Sequence, residues 1–199
     1  MEAWLSDKVA DKLVRTENTA FVSGDGVAKP RGFTTYADWA SAGTFEMNAI
    51  EQFDTGANGA FAADPAGGDK ILDMIYALKD QYRMNGVFFM NRTTLGAARK
   101  LKDSDGNYQW QPSFQAGQPS TLFGYPVAGF EDMPAHTTTG ALAIAFGDMS
   151  EAYQIVDRLG IRVLRDPYTA KPYVKLYTTK RVGGDVVNFE AIKLLKFAS

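Results

Sequence analysis

Apolar positions recur four apart near the start of the chain, at Leu5, Val9 and Leu13 with Trp4 beside them, while Asp7, Lys8, Asp11, Lys12 and Arg15 fill the remaining arc. This spacing predicts one amphipathic helix from Glu2 to about Val22, roughly 30 Å long. Ser23-Gly24-Asp25-Gly26 ends it with residues tolerant of positive φ, and Lys29-Pro30-Arg31-Gly32 continues the loop. Residues 33–55 are mixed and weakly strand-like from Phe45 to Phe53. The Ala/Gly-rich run Gly56 to Gly68 reads as a connector, and a lobe boundary is expected there.

The next stretch has the clearest pattern. Asp69 is placed to cap a helix whose apolar stripe is Ile71, Leu72, Ile75, Leu78 and Tyr82, ended by Asn85-Gly86. Val87 to Met90 is a short continuous apolar run, as expected of a strand covered on both faces. Asn91 then caps a helix carrying Leu95, Ala98 and Leu101, with Lys100 and Lys102 near its C-terminal dipole. A turn at Asp103 to Asn107 leads into a long loop with Trp110, Pro112, Gly117 and Pro119, and strands follow near Tyr125 to Val127 and Ala141 to Phe146.

Beyond Arg158 the pattern becomes strand-only: Ile161 to Leu164, Tyr173 to Thr179, Val186 to Phe189 and Ala191 to Phe197, with turn signals at Leu159-Gly160, Asp166-Pro167 and Gly183-Gly184. Helices alternating with strands, then strands alone, make an α+β protein in two lobes. The expected division is 1–68, 69–150 and 151–199, the first and last parts forming one lobe.

Charge sharpens this picture. Residues 158–199 hold nine Lys/Arg and three Asp/Glu, a net +6, whereas residues 1–157 carry a net −8. A chain with an acidic part and a basic part has an electrostatic route to self-association. The plainer expectation is that Lys175, Lys180, Lys193 and Lys196 are the solvent faces of amphipathic strands. At 199 residues the chain is large enough to bury a core unaided. It contains no cysteine, which excludes disulfides, thiolate metal sites and cysteine nucleophiles and suits a reducing cytosol. No apolar run approaches the roughly 20 residues that cross a bilayer, so no membrane partner is expected.

The residues give little support to catalysis. His136 is the one histidine, so a two-histidine metal site is excluded, and no Gly-x-Ser-x-Gly elbow exists to build a serine triad on it. Asp103-Ser104-Asp105-Gly106-Asn107 resembles the start of a calcium loop, but the sixth and twelfth positions are Tyr108 and Phe114 rather than glycine and glutamate; a tight turn explains it better. Gly24-Asp25-Gly26 lies at a helix C-terminus, the end of the dipole that repels phosphate. The carboxylate pairs Glu131-Asp132 and Asp7 with Asp11 have the look of solvated surface. Tyr168, Tyr173 and Tyr177 interleave with basic residues, which permits weak nonspecific nucleic-acid contact, without any motif for specific readout. No cofactor and no metal are expected.

Longer phrases carry a resemblance. Lys100-Leu101-Lys102-Asp103 with Gly106-Asn107-Tyr108, Trp110-Gln111-Pro112, Gln115-Ala116-Gly117-Gln118-Pro119, Leu122-Phe123-Gly124-Tyr125-Pro126-Val127, Glu131-Asp132-Met133-Pro134, Phe146-Gly147-Asp148, Arg165-Asp166-Pro167-Tyr168 and Arg181-Val182-Gly183-Gly184 closely resemble tailed-phage and prophage major capsid proteins of the Hong Kong 97 type. Near the front, Glu2-Ala3-Trp4-Leu5 and Lys29-Pro30-Arg31-Gly32 fit the same family, so the resemblance runs the length of the chain.

The resemblance implies a peripheral domain built on a long spine helix and long strands, and an axial domain, about 69–150, pointing at the capsomer centre. It implies a structural subunit, not an enzyme, that forms hexamers and pentamers of an icosahedral head enclosing double-stranded DNA. Portal, scaffold and maturation protease would be its partners, the host cytoplasm its place of synthesis and the virion its destination. Contact candidates follow at three places: Arg165, Asp166, Tyr168 and Lys171 in the turn toward neighbouring capsomers; Asp103, Asp105, Tyr108 and Trp110 near the capsomer axis; and Asp25, Lys29 and Arg31 at the end of the spine helix. Family members carry an N-terminal arm and an extended loop before that helix, so the chain is expected to be a piece of a longer protein. Some relatives crosslink a lysine of the extended loop to an asparagine of the peripheral strands; Tyr173 to Thr179 contains no asparagine, and no self-crosslinking is expected. The rival readings are the shell of a cellular nanocompartment, which would share the fold, and an enzyme or small-ligand module.

Overall fold

A computed structural model describes residues 2–63, 66–110, 121–169, 171–172 and 174–198. Residues 111–120, which include the Pro112 to Pro119 part of the expected axial loop, and Tyr173 at the start of one expected strand lie outside the described residues. The chain folds as two compact units, residues 1–35 with 154–185 and residues 36–153 with 186–199.

The smaller unit holds the first helix, α1 (Glu2–Ser23). Its end is a knot of backbone contacts. Gly24 donates to the Ala20 carbonyl at 2.9 Å, Gly32 donates to the Gly24 carbonyl at 2.9 Å, and the Thr34 hydroxyl donates to the Val22 carbonyl at 2.6 Å. A Cβ on Gly32 would stand 2.2 Å from the Val22 carbonyl oxygen, so the return of the chain past the helix end requires glycine there. The unit is completed by a ribbon of two strands, which for chain-order numbering are β6 (Tyr153–Asp166) and β7 (Lys175–Val186). The expected turns at Leu159-Gly160 and Gly183-Gly184 are absent, because both strands run straight through them. Neither Gly160 nor Gly183 adopts a positive φ, and glycine without that conformation does not break a strand. The turn at Asp166-Pro167 is real: the Asp166 carboxylate accepts from the backbone amides of Tyr168 at 2.9 Å and Thr169 at 3.3 Å, the side-chain mimic of a backbone turn.

The larger unit is a six-stranded mixed sheet with helices beside it. The strands are β1 (Gln52–Asp54), β2 (Val87–Met90), β3 (Thr121–Leu122), β4 (Tyr125–Gly129), β5 (Leu142–Gly147) and β8 (Ile192–Lys196), in spatial order β1-β8-β5-β2-β4-β3. β8 runs parallel to β1 and antiparallel to β5, with Leu194 opposite Gln52 and Ala145. Its residues Ile192 to Leu195 are all buried. This places Val186, the last residue of β7, and the chain from there to Phe197 with the larger unit, and it places Gly68 inside the larger unit rather than at a boundary. β8 is paired along both edges, by β1 and β5, and its unbroken run of buried residues is that of a strand covered on both faces. β5 and β8 are the fully covered strands; β2 alternates half-buried and buried positions.

The core gathers Ile71, Met74 and Ile75 from α2 (Ala66–Ala77), Phe88 and Met90 from β2, Ile144 and Phe146 from β5, and Leu195 of β8 followed by Phe197. The Phe88 and Phe146 rings lie 4.5 Å apart, and Tyr125 meets Phe146 edge-on at 5.1 Å. Each such side chain contributes about 1.5–3 kcal/mol by leaving water. The helix expected over Asp69 to Tyr82 is two helices, α2 and the short α3 (Asp80–Arg83), because Lys79 between them is extended (φ −60°, ψ 145°). Leu78 just before the break is buried and Lys79 reaches Glu190 at 2.8 Å; tertiary contacts here override an unbroken helical pattern. Asp69 lies in the first turn of α2 rather than at its cap, where its charge still favours the dipole. Asn91 caps α4 (Arg92–Ala98) as expected, its side chain accepting from the Thr93 amide.

Lys193 departs most from its expected place. It is 3% exposed, its ammonium donates to Glu51 at 2.5 Å and it lies 3.8 Å from the centre of the Trp39 ring. Glu51 in turn accepts from the Gly43 amide at 2.7 Å. Burial pushes the Lys193 pKa down, against the Glu51 carboxylate that pulls it up.

Candidate subunit-contact surface

The ribbon of the smaller unit is unusual for its lack of cover. Ile155, Val156, Ile161, Val163, Leu164, Leu176 and Tyr177 are all exposed. A two-stranded ribbon is marginal alone, and contiguous exposed apolar surface marks a place where something binds. Beside it, Leu5 and Val9 of α1, one turn apart, line an apolar groove of about 370 Å3 with Ile161, Val163, Arg165, Val174, Leu176 and Thr178. Alternation along β6 brings Ile161, Val163 and Arg165 to this side. Arg162 and Leu164 on β6, like Lys175 and Tyr177 on β7, fall on the opposite face.

At the tip, Arg165, Tyr168 and Lys171 are exposed, Tyr168 by 81%, and Asp166 is committed to holding the turn. These four residues, singled out from the sequence, are brought together at one end of the ribbon. The second predicted group, Asp25, Lys29 and Arg31, meets at the end of α1. Asp25 pairs with Lys29 at 3.2 Å and accepts from the Val27 amide at 2.9 Å, so its carboxyl is held below the usual range, chiefly by that amide and then by the lysine. Arg31 forms an antiparallel bridge with Asp25, and its amide donates to the Gly184 carbonyl at 2.9 Å.

In the third group, Asp103 organises its turn: its carboxylate accepts from the amides of Asn107 at 2.8 Å and Asp105 at 3.0 Å, and these bonds, Asn107 first, lower its pKa. Asp105 and Tyr108 are exposed, and Lys102 lies 5.2 Å over the Tyr108 ring. Trp110 departs from the expectation of a surface contact. It is 7% exposed and belongs to the core, with Arg99 stacked 4.9 Å from its ring. A flat apolar ring beside Leu101 and Leu122 gains more from leaving water than from facing it.

Sequence reasoning missed Arg158, Arg162 and Arg181, which stand exposed along the ribbon. The signal was the net +6 of residues 158–199; what it lacked was the knowledge that Lys180 and Lys193 are paired within the chain. His136 is half-buried, burial lowers its pKa, and among the described residues its Nδ1 has no hydrogen-bond partner. Among the described residues no group of His, Asp and Glu is arranged to hold a metal ion.

One unit is thus a covered sheet and the other holds an uncovered ribbon. Residues 1–197 match the phage capsid family, and the chain belongs to it. It is similar to the capsid subunit of an empty GTA particle, at 50% identity and a TM-score of 0.90, covering all of this chain and 67% of that one. The subunit of the native GTA particle matches at 50% identity and a TM-score of 0.91, with 66% of its length covered. This chain thus spans about two thirds of those proteins. A structure from Gordonia phage Cozz (14% identity, TM-score 0.56, 98% of this chain and 62% of that one) shares the fold, as does one from the satellite phage P4 procapsid (13%, 0.54, 100% and 68%). The comparison with curated proteins finds no match. The Hong Kong 97-like α+β capsid fold and the role of a structural shell subunit are those of the family, and neither the nanocompartment nor the ligand-binding alternative is favoured.

Proposed function

We propose that this chain is the greater part of a major capsid subunit, many copies of which tile an icosahedral head around double-stranded DNA. The observation that carries this reading is the whole-length family match together with 50% identity to capsid subunits across all 199 residues. In this reading the smaller unit is the peripheral domain and the larger unit, rather than residues 69–150 alone, is the axial domain. Arg165, Tyr168 and Lys171 at the ribbon tip meet neighbouring capsomers, Asp25, Lys29 and Arg31 form a second contact, and Asp103, Asp105 and Tyr108 lie near the capsomer axis. Subunits pass from the host cytoplasm, where they are made, into the virion with the help of scaffold, protease and portal. The protein works by binding copies of itself, without turnover, and the uncovered ribbon supports that role.

The test is negative-stain electron microscopy of the reading frame extended upstream, purified beside the present chain. Closed shells or capsomer rings from the longer protein are the expected outcome. Uniform small particles at every salt and crowding condition would overturn the assembly reading.

A further inference from the structure

The chain's arginines divide sharply into two sets. Outside the ribbon each has an interaction within the chain: Arg15 with Asp11, Arg83 with Asp80, Arg92 with Glu131 and Arg99 over Trp110, and Arg31 is engaged as well. On the ribbon, Arg158, Arg162, Arg165 and Arg181 are exposed and, among the described residues, have no carboxylate within ion-pair distance. Arg165 borders the apolar groove. Arg158 and Arg162 are four residues apart on one strand, hence on one face and about 13 Å apart. Gly160 lies between them with nothing within 4 Å of where its Cβ would stand. Arg162 and Arg181 border one shallow depression of about 220 Å3 with Gly160 and Thr179. Two carboxylates of this unit, Glu17 and Asp157, are both held by Lys180, at 2.8 and 3.7 Å.

We infer that Arg158, Arg162 and Arg181 form a sequence-independent site for the phosphate backbone of double-stranded nucleic acid. Guanidinium forks match phosphate oxygens two at a time, and the open floor at Gly160 lets a backbone approach closely. An acidic surface on a second copy is the competing occupant. The chain's own carboxylates fit that role poorly, because many are already committed: Asp80, Glu131 and Glu190 to cations, and Asp38, Asp103 and Asp148 to backbone amides. The inference rests on the shell reading for the supply of DNA, and it gives to nucleic acid three arginines of the ribbon for which that reading names no role.

The experiment is fluorescence anisotropy of a labelled 30-base-pair duplex titrated with the full chain at 25–200 mM salt. It is repeated with the triple variant R158Q/R162Q/R181Q, with the triple Arg→Lys variant and with R92Q as a control, all checked by circular dichroism. Inorganic phosphate is titrated as competitor. Expected is binding whose logarithm falls with log salt at a slope of about −2 to −3, since about 0.9 is contributed by each phosphate neutralised. The glutamine variant should lose at least about tenfold in affinity and most of that slope, while R92Q is unchanged and the lysine variant keeps the slope. Competition by millimolar phosphate at constant ionic strength would mark a free-phosphate site and overturn the backbone assignment. Binding that is absent at 25 mM salt, or equal in the glutamine variant, would also overturn it. So would a glutamine variant that binds DNA normally but no longer self-associates in sedimentation velocity, which would give the surface to a second copy. If the extended protein forms shells while the DNA arm fails, this inference falls and the shell reading stands.

Discussion

Strand β8 in the larger unit and strands β6 and β7 in the smaller one are built from the same kinds of residue, yet they end in opposite environments. Ile192 to Leu195 are all buried, one lysine included, while Ile161, Val163, Leu164 and Leu176 are at least 42% exposed. In β8 the apolar side chains stabilise the fold of a single subunit. On the ribbon they keep their binding energy unspent, available to whatever covers them. A hydrophobic strand is therefore evidence of burial in something, and only the pairing pattern tells whether that something is the same chain.

The sharpest way to break this contrast is to truncate one residue on each side of it. Phe88→Ala removes a fully buried ring packed on Phe146 and should cost about 3–5 kcal/mol of unfolding free energy. Leu164→Ala on the ribbon should change it by less than about 0.5 kcal/mol. Urea unfolding followed by circular dichroism measures both, and comparable losses would mean that the ribbon is part of the folding core.

The second test concerns the charge inside the sheet. Removing one partner of a buried pair strands the other, so Glu51→Gln should destabilise the chain by about 3–5 kcal/mol. Lys193→Met together with Glu51→Gln should recover much of that loss, because no charge then remains unpaired. The sign of the Lys193 shift adds a pH signature. A lysine whose pKa is lowered on folding binds more protons when unfolded, so its contribution to stability rises with pH over the window just below the ordinary lysine value of about 10.4. That rise should be lost in Lys193→Met, as thermal melts between pH 8 and 10.5 would report.

What the residues announced in advance was local. The four-residue spacing of Leu5, Val9 and Leu13 gives α1, Asn91 caps α4, and Asp103 and Asp166 close turns through their own carboxylates. These devices act within a few residues and are readable from them. Long-range outcomes were not. Gly160 and Gly183 read as turns because glycine permits them, but the strands that pass through need no positive φ. Lys193 read as solvent-facing because lysine usually is; its burial depends on Glu51 and Trp39, more than 140 positions earlier. Trp110 read as a contact because it sits in a loop, and Arg99 and the core claimed it. At the ribbon tip the turn was legible because Asp166-Pro167 is a local signal, while its contact role came from the family resemblance alone. Arg158, Arg162 and Arg181 were not legible, because an arginine becomes noteworthy only once the carboxylates around it are known to be taken.

The smallest effect on folding belongs to the ribbon tip, and there a near-zero result is informative. Tyr168 is 81% exposed, and the turn around it is held by Asp166 and the backbone, not by the phenol ring. Tyr168→Ala should therefore leave the unfolding free energy within about 0.5 kcal/mol. In the upstream-extended protein the same change should reduce the yield of closed shells, because a large aromatic at an interface carries binding energy that no other side chain at the tip can replace. Paired urea curves and particle counts by electron microscopy separate the two quantities. Unfolding of the variant would make Tyr168 a structural residue. Normal folding with an undiminished shell yield would move the contact away from the tip, toward the groove between Leu5 and Leu176, where the apolar surface is continuous.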